Sequence, residues 1–418
     1  MPTCRLRSDC RLCNNDGLQV VCTLSSTPPA NDFRPASSLN DIQDVFPLEL
    51  MLCDGCGHLQ LGHVVDPDSL FSDYVYVSGT SPSFVAHFDA YANTVWSMGA
   101  GASNDLVVDI GSNDGTLLKS FRKLGARIQG IDPAQKIAKA ANKRGVPTIA
   151  AFFSSEIAAR IVEEEGQAQI ITANNVCAHI DDLSSVVEAV VTLLAPDGLF
   201  VFEVSYLLDV IEKTLFDTVY HEHLDYHALK PLVPFLQTHG LHLFHAERIP
   251  SHGGSIRVFA APEASGRRTS DELTALLAAE DTSGLLEPGV YGEFSRKIQN
   301  AGDELSRLIA GARAEGRRIA GYGAPAKATT LMYQFGLKPE DLAYIVDDSP
   351  WKQGLHSPGL NIPVVPATRL IEDPVDDLLI LAWNFAEPII ENNRQFLHSG
   401  NRFIVPLPTL KVVSEDNE

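Results

Sequence analysis

A chain of 418 residues has room for two or three domains, and a hydrophobic content of 45% is that of an ordinary globular protein with a large core. A formal net charge of -21 argues against nucleic acid as the main partner. No apolar stretch is long enough to cross a bilayer, and nothing after Met1-Pro2-Thr3-Cys4-Arg5 has the apolar centre of a secretory signal, so a soluble cytoplasmic protein with no membrane partner is expected.

Seven cysteines make an odd number for a disulfide framework, and five of them precede residue 54. Their spacing points to metal. Cys10-Arg11-Leu12-Cys13 and Cys53-Asp54-Gly55-Cys56-Gly57-His58 carry two C-x-x-C pairs, so Cys10, Cys13, Cys53 and Cys56 are expected to close a tetrahedral zinc site. Cys4, Cys22, His58 and His63 are alternates, and reduced inert thiols are the alternative without metal. Four thiolates leave no open coordination position, so the zinc would be structural. Ser81 then suits an N-cap and Pro82 an early helical position, followed by a helical pattern through Phe84, Phe88, Tyr91 and Val95. Tyr76 precedes that helix in a polar, turn-like segment.

Leu106 to Ile110 is a run of mainly β-branched residues and reads as a buried parallel strand. The turn Gly111-Ser112-Asn113-Asp114-Gly115 follows, then a helix over 116–124. A second strand, 126–131, ends in Asp132, an acid placed to accept from a ribose diol. A third strand, 169–175, ends in Asn174 and Asn175. Ligands of open α/β sheets lie beyond the carboxyl ends of the strands, so Asp109, Gly111, Asn113, Gly115, Asp132 and Asn174 converge on one crevice. The turn is Gly-x-x-x-Gly and not the nicotinamide fingerprint, which fits a methionine sulfonium cofactor that carries no pyrophosphate. His179 follows a few residues on, and Ala195-Pro196-Asp197-Gly198 is a turn before a strand over 199–204.

The densest polar cluster is Asp217-Thr218-Val219-Tyr220-His221-Glu222-His223-Leu224-Asp225-Tyr226-His227. It does not match the H-E-x-x-H metal spacing, but it offers a histidine near neutral pKa with a carboxylate or phenol at hand, which is what proton transfer needs. Gly253-Gly254-Ser255-Ile256-Arg257 is a glycine turn entering a strand, and long helices run to about Glu315. A second Rossmann-like pattern then begins. Arg318 to Ala320 is a strand, and Gly321-Tyr322-Gly323-Ala324-Pro325-Ala326-Lys327 fits G-x-G-x-x-A and starts a helix. A strand over 342–346 ends at Asp347-Asp348, and three more strands lie within 362–406. This turn fits a nicotinamide, or a nucleotide-sugar pyrophosphate with Lys327 near the phosphates, equally well.

Taken together, the paired cysteines, Ser78-Gly79-Thr80-Ser81, Asp109 to Thr116, Ala173-Asn174-Asn175-Val176, Tyr220-His221-Glu222-His223, Gly253-Gly254-Ser255 and Gly321 to Ala328 resemble the deoxysugar C-methyltransferases, which act on nucleotide-linked ketosugars in antibiotic pathways. The resemblance covers nearly the full length. It implies an α/β protein of three parts: a zinc-binding domain (1–75), an S-adenosylmethionine-dependent methyltransferase domain (76–265), and a Rossmann-like domain holding the nucleotide-sugar (266–418). It implies methylation at C-3 of a dTDP-linked 4-ketodeoxysugar, with His223 as general base and Glu222, Tyr220, Tyr76 and His179 around the sugar. Ser255, Arg257, Gly321, Gly323, Ala324, Lys327 and Asp347 would face the nucleotide-sugar. His221 has no role in that pattern. Two readings from other classes stand beside it: an NAD(P)-dependent sugar-nucleotide oxidoreductase using the second glycine turn, and a non-catalytic zinc scaffold.

Overall fold

The computed structural model describes residues 3–71, 82–398 and 400–415. Tyr76 and the Ser78 to Ser81 motif lie outside them. The centre is a seven-stranded sheet in the order Leu241–Ile249, Ser255–Pro262, Leu194–Ser205, Ala168–Asn174, Leu106–Ile110, Arg127–Ile131, Thr148–Ile149. The strands from Leu194–Ser205 onward in that order run parallel, and the first two join antiparallel. Alternate residues of these strands feed two apolar clusters: Leu106, Val108, Ile110 and Ile171 one, and Val107, Ile170 and Val201 the other. The sheet is therefore buried on both faces, as the apolar runs require. Strand order reverses between Leu106–Ile110 and Ala168–Asn174, which opens a crevice at their carboxyl ends.

The helix Pro82–Met98 buries Phe88, Tyr91 and Val95 against this sheet. The expected turn Ala195 to Gly198 instead lies within the strand Leu194–Ser205. Pairing jumps from Ala168 opposite Leu194 to Ile170 opposite Leu199, so the Pro-Asp-Gly stretch bulges without ending the strand.

The N-terminal unit is a four-stranded antiparallel sheet, Asp225–Tyr226, Leu59–Leu61, Phe46–Cys53, Leu18–Thr27. Its first strand comes from the distant histidine-rich segment. The C-terminal unit has a six-stranded sheet, Val364–Val365, Ile345–Val346, Ile319–Tyr322, Asp377–Ile380, Arg402–Val405, Lys411–Val413, parallel except for the last strand. The strand Ile319–Tyr322 takes in Gly321 and Tyr322, so the turn begins later than the fingerprint suggests. The strand expected over 342–346 is confined to Ile345–Val346. Among the described residues no helix is long and apolar enough to cross a membrane.

Candidate active site

At the crevice, Gly111 adopts φ 71°, and a Cβ there would meet Val176 Cγ2 at 2.4 Å, so only glycine fits. Asn113 is also left-handed (φ 50°), and its N–H donates to Asp132 Oδ2 at 2.9 Å. Ala134 N donates to Asp132 Oδ1 at 2.9 Å. Each carboxylate oxygen thus keeps one lone pair for a ligand hydroxyl. Gly115 caps the helix Thr116–Lys123. Asp109 is buried and accepts from Thr172 Oγ1 at 2.6 Å. Burial pushes its carboxyl up to about 7, against that hydrogen bond and with help from nearby Asp132. Asn174 accepts from Glu203 N at 3.1 Å, while among the described residues its buried Nδ2 has no hydrogen-bond partner. A buried amide donor and two buried acids at converging strand ends suit a ligand that carries a carboxylate, an ammonium and a ribose, as S-adenosylmethionine does.

The second cluster is a tight turn. His223 N donates to Tyr220 O at 2.9 Å, which folds residues three apart onto one another. Their rings lie 4.1 Å apart, and Tyr220 Oη is 2.9 Å from His223 Nε2. His223 Nδ1 lies 2.7 Å from the Thr218 carbonyl. A carbonyl only accepts, so Nδ1 carries the proton of the neutral ring and Nε2 is the basic atom. The His179 ring stands edge-on to His223 at 5.0 Å. Burial, and then His223, hold His179 well below the usual histidine range.

Glu222 points away from this pair. It accepts from Asn31 Nδ2 at 2.7 Å, and burial pushes its carboxyl up to about 7, opposed by Asn31 and Lys352. Lys352 Nζ donates in turn to Ala324 O at 2.7 Å, so Glu222 faces the C-terminal glycine turn. His221 is buried beside Phe46, with Nε2 3.2 Å from the Phe46 carbonyl, and burial lowers it to about 4. It is a packing residue against the N-terminal sheet.

In the C-terminal turn Gly323 has φ 84°, and a Cβ would meet that of Ala382 at 2.5 Å. Gly323 N donates to Val346 O at 2.7 Å, and Ala324 N to Asp347 Oδ2 at 2.7 Å. Lys327 lies 3.8 Å from Asp217 Oδ2 and 4.4 Å from the Trp383 ring centre. Ser255 is buried and donates to Ser251 O at 3.0 Å, and Arg257 is paired with Glu203 (2.6 Å) and Glu247 (3.0 Å) in the central sheet. Gly253 and Trp383 line a cleft of about 720 Å³ between the central and C-terminal units, with Ser251, Phe385 and Lys411. The Trp383 indole donates to Asp217 at 2.6 Å, which ties the cleft to the Tyr220–His223 segment. Sequence reasoning missed Asn31, Lys352 and Trp383, whose partners are remote in the chain, and gave no role to Thr218, whose carbonyl faces His223.

The four cysteine sulfurs lie within 4.8 Å of one another, with Cys10–Cys56 at 3.6 Å and Cys13–Cys53 at 3.5 Å. Tetrahedral zinc with Zn–S near 2.3 Å needs sulfurs about 3.8 Å apart, so the set fits. The alternates are engaged elsewhere: Cys22 with Ser295, His58 with Asp225 at 2.7 Å, His63 with Glu49 at 3.6 Å, while Cys4 pairs across strands with Val65.

Three family models match: a "Putative zinc binding domain" over 10–71, a methyltransferase domain over 91–247, and a C-methyltransferase C-terminal domain over 250–408. The C-methyltransferase NovU of Streptomyces niveus is 36% identical over 409 residues, 98% of this chain and 97% of that protein. A ubiquinone biosynthesis O-methyltransferase of Cupriavidus pinatubonensis is 35% identical over 24% of this chain and 41% of its own. Of solved structures, a Pyrococcus horikoshii protein aligns with TM-score 0.37 at 11% identity, covering 45% of this chain and 94% of that one.

Proposed function

The chain belongs to the S-adenosylmethionine-dependent C-methyltransferases that include NovU, and on that premise we propose that it methylates C-3 of a dTDP-linked 4-ketodeoxysugar, in antibiotic deoxysugar biosynthesis. The observation that carries this reading is the fixed tautomer of His223, with a basic Nε2 beside a phenol and a second, neutral histidine.

A carbon next to a ketone is acidic enough to yield its proton to an imidazole held in place. His223 Nε2 takes that proton, and the Thr218 carbonyl stabilises the imidazolium through Nδ1–H. Tyr220 donates to Nε2 before substrate enters; released by the incoming carbon acid, the same hydroxyl becomes a donor for the enolate oxygen. His179, kept neutral by burial, adds no competing positive charge. Asp109, Gly111, Asn113, Gly115, Asp132 and Asn174 would hold S-adenosylmethionine, which would supply an electrophilic methyl group to the enolate carbon and leave as S-adenosylhomocysteine. Glu222, through Asn31 and Lys352, aligns the base with the C-terminal turn at Gly321, Gly323, Ala324, Lys327 and Asp347, and the nucleotide lies in the adjoining cleft.

The test is a panel of dTDP-ketodeoxysugars incubated with S-adenosylmethionine and read by mass spectrometry. One member should gain a methyl group in place of hydrogen. Replacing His223→Asn should leave cofactor affinity unchanged and lower the rate on the order of a hundred- to ten-thousand-fold. If no panel member is methylated the substrate class is wrong, and if the His223→Asn rate is unchanged the base is wrong.

A further inference from the structure

One residue inside the zinc knuckle reaches the segment that carries His223. Arg11 stands between Cys10 and Cys13, and its side chain is fully buried (0% exposed). A buried guanidinium is costly unless its donors are met by well-placed acceptors. Nε and Nη1 find such acceptors, while the buried Nη2 has no hydrogen-bond partner among the described residues. Arg11 Nη1 donates to the Leu224 carbonyl at 3.3 Å and to the Leu61 carbonyl at 3.0 Å, and Nε donates to Asp181 Oδ1 at 3.0 Å. Its own backbone N–H is held by Gln60 Oε1 at 2.9 Å.

Leu224 follows His223, and Asp181 lies two residues beyond His179. The two segments also meet directly, because Leu224 N donates to Ala178 O at 2.7 Å. One planar cation therefore grips both segments, each within two residues of a histidine of the candidate site. The rigid fork of a guanidinium holds two acceptors at fixed spacing, which a lysine cannot reproduce. Asp181 is in turn clamped by Arg5 and Arg7, so its end of the linkage does not yield.

We infer that Arg11 is a positioning residue for methyl transfer: from within the metal knuckle it sets the separation of His179 and His223 and so couples the zinc site to the base. This rests on the assignment of His223 as base. It assigns the knuckle a part in the reaction rate beyond holding the N-terminal sheet together. Misplacement of a reacting group by about 1 Å costs on the order of a hundredfold in rate.

The test uses the full-length, zinc-loaded enzyme and the panel sugar that gives the largest yield of methylated product. Arg11→Met keeps the unbranched apolar stem of the side chain without the fork. Its expected result is a kcat lower by about ten- to a hundredfold, with zinc content, S-adenosylmethionine dissociation constant and sugar KM unchanged. Asp181→Asn, outside the knuckle, should give the same split. Arg11→Lys should recover only part of the loss. In an His223→Asn background Arg11→Met should cost little more, because the two act through one group. A wild-type kcat for Arg11→Met beside an inactive His223→Asn overturns this inference alone, whereas an active His223→Asn overturns the base assignment. If both Arg11→Met and Asp181→Asn lose zinc or cofactor affinity along with rate, Arg11 is a folding residue and the inference fails.

Discussion

Asp109 carries a conflict between its position and its charge. It sits at the end of a fully buried strand, where burial raises its carboxyl to about 7. An unfolded aspartate titrates near 3.9, so the folded chain binds the extra proton between roughly pH 4 and pH 7. Stability from this group is therefore full below that window, is lost as pH rises through it, and stays lost above. Asp109→Asn keeps the acceptor for Thr172 and removes the charge. Without cofactor, the variant should gain thermal stability relative to wild type between pH 5 and pH 8, by at most about 3 kcal/mol; scanning calorimetry at the two pH values measures the gap, and an equal offset at both would show that this carboxyl does not titrate in the window. Single residues also mark how far the sequence could be read. Tyr220, Glu222 and His223 were legible as members of one polar cluster, but the turn that brings Tyr220 and His223 together was not. Nor was the orientation of Glu222, since it depends on Asn31 and Lys352, which no local pattern links to it.

At the scale of elements, the parallel strands were legible because burial on both faces demands continuous apolar runs, and Leu106–Ile110 and Ala168–Asn174 are such runs. The two-residue strand Asp225–Tyr226 was not, because its partner Leu59–Leu61 lies far away in sequence and two residues show no periodicity. The zinc knuckles were fully legible, since two C-x-x-C pairs need no tertiary information to declare four thiolates. Their sheet takes that short strand from the Asp217 to His227 segment, so metal loss should reach the candidate active site. Cys53 is buried at the end of the strand Phe46–Cys53. Cys53→Ser should abolish stoichiometric zinc by elemental analysis, lower the melting temperature and depress methyl transfer. A zinc-free protein that melts and turns over like wild type would contradict a structural metal here.

On the scale of the whole molecule, the segment from Asp217 to His227 is where the three units meet. Asp217 takes the Trp383 indole hydrogen from the C-terminal unit, and Asp225 pairs with His58 of the N-terminal sheet. His227 bridges back to Tyr206 of the central unit. A further joint ties helix Ala326–Gln334 to the same segment: the buried Thr330 hydroxyl donates to the Val219 carbonyl at 2.7 Å. Thr330→Val has the same shape without the donor, and it leaves a buried carbonyl short of a partner at a cost of about 1–3 kcal/mol. Thr330 is not among the residues that line the cleft, so the change tests the joint without altering that lining. If the segment locks the units into one cooperative body, the variant should lower a single calorimetric transition by a few degrees without splitting it, since a loss at a shared joint is felt by every unit that depends on it. If instead the C-terminal unit is only docked against its neighbours, Thr330→Val should release an earlier, separate transition and leave the main one in place, and the Asp217 to His227 segment would then owe its geometry to the central and N-terminal units alone.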